Sequence, residues 1–518
     1  MQTNDTSITA FMGGPYKHLT QSVIKNKSAN KILKSRYKTL FLYLLKSIKR
    51  YYLGKTAIKY IAYKILHNKA KSLKWQKRHN ERYEHLQKSL KIFMEFQKIY
   101  SQSKAWVESQ TFKEKYTNHH YPPLLKPDLA NYNAISAELA WELNMPLPQI
   151  YDFINISSGC SASAASFVFL KECGVHIDSG EFMELYKNSF HKISKGKRAL
   201  FFYFVMFWGW DKGNAHKFTA LLTQKMPLLY IARDPISKIR CIINHIVDMS
   251  DEVAKVKNFT LKSDPKMLMP KPKYIYSNAS KPDLKYLSNP TQDDLTHLRS
   301  SLALDSILEI FKDNVSEILC IEFNDLKPSV AFDTFCRLAK KLHLEKPKNK
   351  AIFANRVWNE IYALLPTTLC VNPRDVDNLA DFKKFNIIIT LPHYLDESQK
   401  DFVDISGEIE NNLVIDETRI LIIIQKDNLM KLQSNHNLYK QVLIFLRNYI
   451  NAIISNIAER KANLISEADI LEHLSNNKTM RDFIKNTLDS ELNYIKVHHP
   501  DFLKVWTHYQ EFERICTE

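Results

Sequence analysis

The stretch Tyr151-Asp-Phe-Ile-Asn-Ile156, followed at once by Ser157-Ser-Gly-Cys-Ser-Ala-Ser-Ala-Ala-Ser166, decides how the chain folds. The first half is an apolar run of strand character. The second half holds only Ser, Gly, Cys and Ala, so a strand feeds a turn with almost no side-chain bulk and a helix begins. Small residues let backbone N–H groups approach an anion, and a new helix adds its unpaired N–H groups and dipole. The pattern predicts an anion cradle; the competing reading is a strand–helix turn packed tightly on a neighbour. It is not a Walker loop, because the Gly-Lys-Ser/Thr signature is missing.

Working outward, short apolar runs alternate with helical stretches, which predicts β–α units and a parallel sheet. Strands are expected at Tyr151–Ile156, Ala199–Phe207, Leu228–Ala232 and Ile318–Phe323, with helices near Ala162–Cys173, Ala215–Gln224, Ser237–Asp248 and Val330–Leu342. The second informative stretch is Pro227-Leu-Leu-Tyr-Ile-Ala-Arg-Asp-Pro-Ile-Ser-Lys-Ile-Arg-Cys241. A strand ending at Ala232 projects Arg233 from its carboxyl edge, where open α/β sheets bind ligands. Asp234 and Pro235 suit a helix cap and first turn. Arg233 reads as a phosphate ligand through its planar fork, or as half of a structural ion pair. A polar segment between Lys257 and Pro290 reads as a loop or lid, and two more apolar runs, Ile387–Leu391 and Ile420–Ile424, precede a mostly helical end.

The length, 518 residues, allows two or three domains. Hydrophobic residues at 45% and charged residues at 25% exclude collagen-like and wholly disordered classes. Seven scattered Cys without a C-x-x-C pair argue against a disulfide framework or zinc module and for a reducing compartment. No signal peptide is visible, and the longest apolar run, Ala199–Trp210, is too short to span a bilayer. The net charge of +18 is concentrated: residues 17–80 hold 18 Lys or Arg and no Asp or Glu, which leaves 55 of each sign elsewhere. Within it, Leu33, Tyr37, Leu40, Phe41, Leu44, Leu45, Ile48 and Tyr52 recur at helical spacing; Gly54 breaks the helix and a second starts near Lys55. A basic amphipathic helix fits an anionic membrane surface. The alternative is a helical subdomain packed on the body; no nucleic-acid motif is present.

Taken together, the small-residue loop after the first strand, the Arg-Asp-Pro after a later one, and the closing strand-turn-helix resemble the sulfotransferases that use 3′-phosphoadenosine 5′-phosphosulfate (PAPS). The closing element is Ile318-Leu-Cys-Ile-Glu-Phe-Asn-Asp-Leu-Lys-Pro328 with the helix carrying Phe332, Phe335, Leu338, Ala339 and Leu342. The resemblance covers residues 150–345. It implies an α/β core at 149–348 between a basic helical and Pro-rich region, 1–148, and a mostly helical region, 349–518. It further implies that Ser158, Gly159, Cys160, Ser161 and Ser163 hold the 5′-phosphosulfate and Arg233 the 3′-phosphate. Two departures stand out: Ser157 where the family has a Lys, and Cys241 where it has a Ser contacting the 3′-phosphate.

In the family the base that deprotonates the acceptor hydroxyl lies just before the Arg-Asp-Pro strand. Here that segment is Phe207-Trp-Gly-Trp-Asp-Lys-Gly-Asn-Ala-His216, so Asp211 or His216 is the candidate base and Lys212 the cation. His245 and His176 are weaker candidates. Tyr51-Tyr-Leu-Gly-Lys-Thr-Ala-Ile-Lys-Tyr60 is similar to segments flanking bacterial glycosyltransferases that build surface polysaccharide, which implies a carbohydrate or glycolipid acceptor at the inner membrane face. The expected function is transfer of a sulfuryl group from PAPS, without a metal, by a cytoplasmic or peripheral enzyme. A sugar-nucleotide glycosyltransferase and a non-catalytic scaffold are the competing readings. Asp375-Val-Asp377, beyond the α/β core, is discounted as a metal site.

Overall fold

The computed structural model describes residues 29–50, 80–116, 118–191, 197–204, 212–246, 250–290, 295–357, 364–372 and 383–517. Ala29–Arg50 (α1) and Asn80–Glu108 (α2) pair along the apolar stripe read in the basic segment. The Tyr37 ring lies 5.6 Å from Phe93 and 5.4 Å from Tyr100, and Leu33 and Leu40 are buried. Lys31, Lys34 and Lys38 remain exposed beside Phe41 and Leu42. Arg36 Nη1 ties the pair to the body through Glu142 Oε2 at 3.1 Å. The second basic helix expected from Lys55 lies outside the described residues. No described helix is long and apolar enough to cross a membrane.

The centre of the chain is α/β. β1 (Phe153–Ser158) leads to α3 (Ser163–Glu172), β2 (Val175–Ser179), α4 (Phe182–Phe190), β3 (Lys197–Phe204), α5 (Lys212–Leu221), β4 (Met226–Ala232) and α6 (Pro235–Ile243). β5 (Asn258–Phe259) belongs to a second sheet; α7 (Thr296–Leu302), β6 (Val315–Glu322) and α8 (Ala331–Lys341) complete the first. Its five strands run parallel in the order β2-β3-β1-β4-β6. β1 runs two residues further than its apolar run, because Ser157 and Ser158 still pair with Tyr203 and Phe204. The expected strand to Phe207 is described to Phe204. Alternation splits the core between two faces. Phe153, Leu229 and Ile231 meet Phe169 of α3 and Phe335 of α8, while Ile154, Ile156, Leu228 and Tyr230 meet the other helices. Helices therefore cover both sides, as a buried parallel sheet requires.

Residues 349–425, expected to be mostly helical, build much of the second sheet. Thr367–Val371 (β7), Phe385–Thr390 (β8), Phe402–Asp404 (β9) and Leu421–Gln425 (β12) join β5 in the order β5-β7-β8-β12-β9; Val414–Ile415 (β10) and Thr418–Arg419 (β11) form a separate hairpin. Only the β5–β7 contact is parallel. His436–Ala462 (α9) lays Leu438, Val442, Leu446, Tyr449 and Ile453 on this sheet. Packing thus crosses residue 348, since β5 comes from the segment read as a loop.

The last helices, Glu467–Asn476 (α10), Lys478–Glu491 (α11), Asn493–His498 (α12) and Thr507–Thr517 (α13), return to the first sheet. Ile470, Leu474, Ile484, Leu488, Trp506 and Phe512 share one core with α6 and α7. Trp506, Tyr509 and Phe512 are core, as their helical spacing predicts.

Candidate functional site

Strand order locates the crevice. β1 connects outward toward β2, whereas β4 connects the other way toward β6, so the chain reverses its winding between β1 and β4. Ligands of open α/β sheets bind outside the carboxyl ends at such a point. The two stretches singled out in the sequence end there side by side. Arg233 Nη1 donates to Cys160 O at 2.7 Å and to Cys241 Sγ at 3.2 Å, and its guanidinium lies 4.0 Å over the Phe323 ring. Its Nε is buried without a partner.

The loop turns sharply without relying on glycine for its left-handed residues: Cys160 and Ala162 have φ of 63° and 56°. Gly159 serves another purpose. A Cβ there would sit 2.2 Å from Ser301 Oγ, so α7 can press on the loop only because residue 159 has no side chain. α3 starts behind Ala162 with no side-chain cap, which leaves its dipole end to other partners. Ser157, Ser158 and Ser161 are fully buried, whereas Cys160 and Ser163 are half-buried. Ser157 Oγ donates to Ser158 O at 3.3 Å, and Ser158 Oγ lies 3.0 Å from Ser161 Oγ.

Beneath the loop lies a cation that sequence reasoning passed over. Lys238 Nζ donates to Ser158 Oγ at 2.8 Å, Ser301 O at 3.1 Å and Tyr230 OH at 3.2 Å. Among the described residues it has no carboxylate partner. Burial pushes its amine down to about 7, with the Arg233 charge acting in the same direction. Its signal was a lysine on the apolar face of α6, beside Ile239 and Ile242. α6 thus brings an amine under the loop from below.

Neighbouring groups divide between anchoring and facing the crevice. Asp234 Oδ1 caps its own helix at Ile236 N, 2.9 Å, while Oδ2 accepts from His508 N and Tyr509 N at 3.2 Å, capping α13. Burial raises the Asp234 carboxyl above its usual value, and these N–H groups pull it back. Glu322 Oε1 accepts from Trp506 Nε1 at 3.0 Å. Between them is a small cavity lined by Arg233, Lys238, Leu488, Leu492, Ile495 and Trp506, with room for about one water. The lid-like segment adds Tyr276, whose hydroxyl bonds His297 Nδ1 beside Gly159; burial takes His297 down to about 4.

Asp211 and the Lys212 side chain lie outside what is described, as does the Asp375-Val-Asp377 segment. His216 is exposed on α5, and among the described contacts none joins it to the loop. His176 is exposed on β2; His245 lies with its ring 6.1 Å from that of His297.

Residues 320–518 match the model of a family described as a protein of unknown function (DUF2972). No curated protein and no solved structure matches the chain. The matched part starts within β6 and includes the second sheet apart from β5, together with the helices that close the crevice.

Proposed function

We propose that the chain is a sulfotransferase-like enzyme that moves a sulfuryl group from PAPS to a carbohydrate hydroxyl of a bacterial surface glycan. What carries the reading is the meeting of the small-residue loop and the Arg-Asp-Pro segment at the winding reversal, with Arg233 bonded to Cys160 and Lys238 to Ser158. In this reading Ser163 and the first N–H groups of α3 take the phosphosulfate. Arg233 takes the 3′-phosphate, and Lys238 offsets charge on the departing phosphate. Sulfuryl transfer asks for alignment and such neutralisation more than for covalent chemistry. Asp211, Lys212 and His216 remain the groups proposed to act on the acceptor. The basic segment 17–80 places the enzyme on an anionic membrane face, with its exposed lysines and Phe41 and Leu42 toward the lipid.

A second reading, a non-catalytic scaffold, is favoured by the filling of the crevice: Ser158 Oγ bonds both Ser161 and Lys238, and Trp506 lines the cavity. Thermal stabilisation separates the readings. The ligands are adenosine 3′,5′-bisphosphate, uridine diphosphate and cytidine diphosphate, on wild type and Arg233→Ala. A ligand at 100 times its Kd adds about 2.7 kcal/mol to the native state. A shift with the bisphosphate alone, lost in Arg233→Ala, supports the sulfotransferase reading. A shift with a nucleoside diphosphate alone favours sugar transfer, and no shift with any leaves the scaffold.

A further inference from the structure

The departure at Cys241 brings a second thiol to the loop that already carries Cys160. The two residues sit 81 positions apart in sequence, yet one guanidinium nitrogen touches both: Arg233 Nη1 bonds the Cys160 carbonyl at 2.7 Å and the Cys241 sulfur at 3.2 Å. The two thiols are direct neighbours beside that guanidinium. Both residues are half-buried at the mouth of the crevice, and all seven cysteines are free.

We propose that Cys160 and Cys241 are a redox-active pair that peroxide closes to a disulfide, and that closure switches off anion binding at the loop. The second half rests on the nucleotide reading above; the disulfide itself does not.

The roles of the two sulfurs follow from their surroundings. The hydrogen bond from Cys160, with the charges of Arg233 and Arg240, draws Cys241 well below the usual thiol value against the effect of burial. The same bond, then burial, holds Cys160 well above it. Cys241 is therefore the thiolate and Cys160 the thiol that resolves it, an arrangement found where oxidation is reversible. The Cys241 thiolate attacks one oxygen of hydrogen peroxide: an S–O bond forms, the O–O bond breaks and hydroxide leaves. Cys160 sulfur then attacks the Cys241 sulfenic acid. An S–S bond forms, the S–O bond breaks, and the departing hydroxide takes the Cys160 proton as water. Overall one thiolate and one thiol are oxidised, and one peroxide yields one water and one hydroxide. Closure takes the thiolate from Arg233 and ties the loop to α6, so residues 160–163 lose the freedom to settle around a phosphate.

The test uses the full chain treated with hydrogen peroxide, alkylated, digested and mapped by mass spectrometry. The expected result is a dithiothreitol-reversible 160–241 link that forms before any of the other five thiols reacts. Cys160→Ser should stop at a dimedone-reactive Cys241, and Cys241→Ser should leave Cys160 unreacted. A Cys241 that reacts no faster than Cys516, with no 160–241 link, overturns the pair. Binding of adenosine 3′,5′-bisphosphate should fall at least tenfold in the oxidised wild type and stay unchanged on peroxide treatment of Cys241→Ser. A disulfide that leaves that affinity unaltered overturns the switch. Failure of the reduced chain to bind the bisphosphate overturns the nucleotide reading and the switch with it, while the disulfide stands.

Discussion

Lys238→Met isolates the cation under the loop. The unfolded lysine titrates near 10.5, and burial takes the folded one to about 7. Between those values the unfolded chain binds a proton that the native chain does not, so stability rises with pH across that interval. At ~1.4 kcal/mol per pH unit the whole difference is roughly 5 kcal/mol. The window from pH 6 to pH 9 captures roughly 3 kcal/mol, because the unfolded amine is still almost fully charged at its upper end. Methionine fills similar space without a charge, so the variant lacks this rise. Lys217, likewise buried and lowered to about 7, contributes its own slope to both proteins and cancels in the difference. Urea unfolding at pH 6, 7, 8 and 9, followed by circular dichroism and tryptophan fluorescence together, reads the comparison. Wild type should gain roughly 3 kcal/mol on the variant over that range. Parallel curves would mean that Lys238 is charged throughout, with an anionic partner in the native state, and would refute the reasoning.

Asp234→Ala removes the acceptor for N–H groups of both α6 and α13, and the expected loss is about 3 kcal/mol, with faster proteolysis after residue 465. Equal protease resistance in the two proteins would rule out the cross-cap. Gly159→Ala pushes a methyl group into Ser301 Oγ and should cost about 2 kcal/mol, part of which Ser301→Ala returns by removing the oxygen at 2.2 Å. If the second change gives nothing back, close approach is not what residue 159 is for. His297 titrates near 4 when folded against 6.5 otherwise, so its contribution is complete above pH 6.5 and drains away as pH falls toward 4. His297→Phe should flatten the acid limb of a melting-temperature profile by up to roughly 3 kcal/mol; an unchanged limb would place the loss on other groups.

The first sheet was legible because buried parallel strands carry apolar runs: β1 and β4 are buried almost throughout, and the short run Ile318–Ile321 marks the edge strand β6. β2 was not: Val175-His-Ile-Asp-Ser179 is an edge strand with His176 exposed, and its polar half hides it. The second sheet is built from strands of two to six residues, one of which pairs with a partner more than a hundred positions away, and local periodicity carries no such information. In the site, Arg233 and the bulk-free loop could be read from local pattern, since their chemistry depends on a strand end and a helix start. Lys238 could not be read the same way. Sequence proximity points to position 157 and to Lys212, while the fold brings the Lys238 amine up from α6. Asp234 was read correctly as a cap for α6, but its second use needs residues 508 and 509 and is invisible without the fold.

The match over residues 320–518 gains its physical sense from the same wiring. It starts inside the strand whose last residue, Glu322, bonds Trp506, and it ends with the helix that Asp234 caps. The C-terminal helices are therefore built against the carboxyl edge of β4 and β6 and are not a separable appendage. Glu467 adds a further tie, accepting from Ser237 Oγ at 3.0 Å and pairing with Arg240 at 3.4 Å. On the reading proposed above, with room for about one water inside, a nucleotide would have two routes to the edge. It can lie on the outer side, where Cys160, Ser163 and Arg233 are half-buried and α3 begins uncapped, or it can displace the group around Trp506. The second route breaks the Glu322 bond and exposes Leu488, Leu492 and Ile495 at once, whereas the first breaks nothing in the core. The outer side is the face on which the phosphate reading stands or falls.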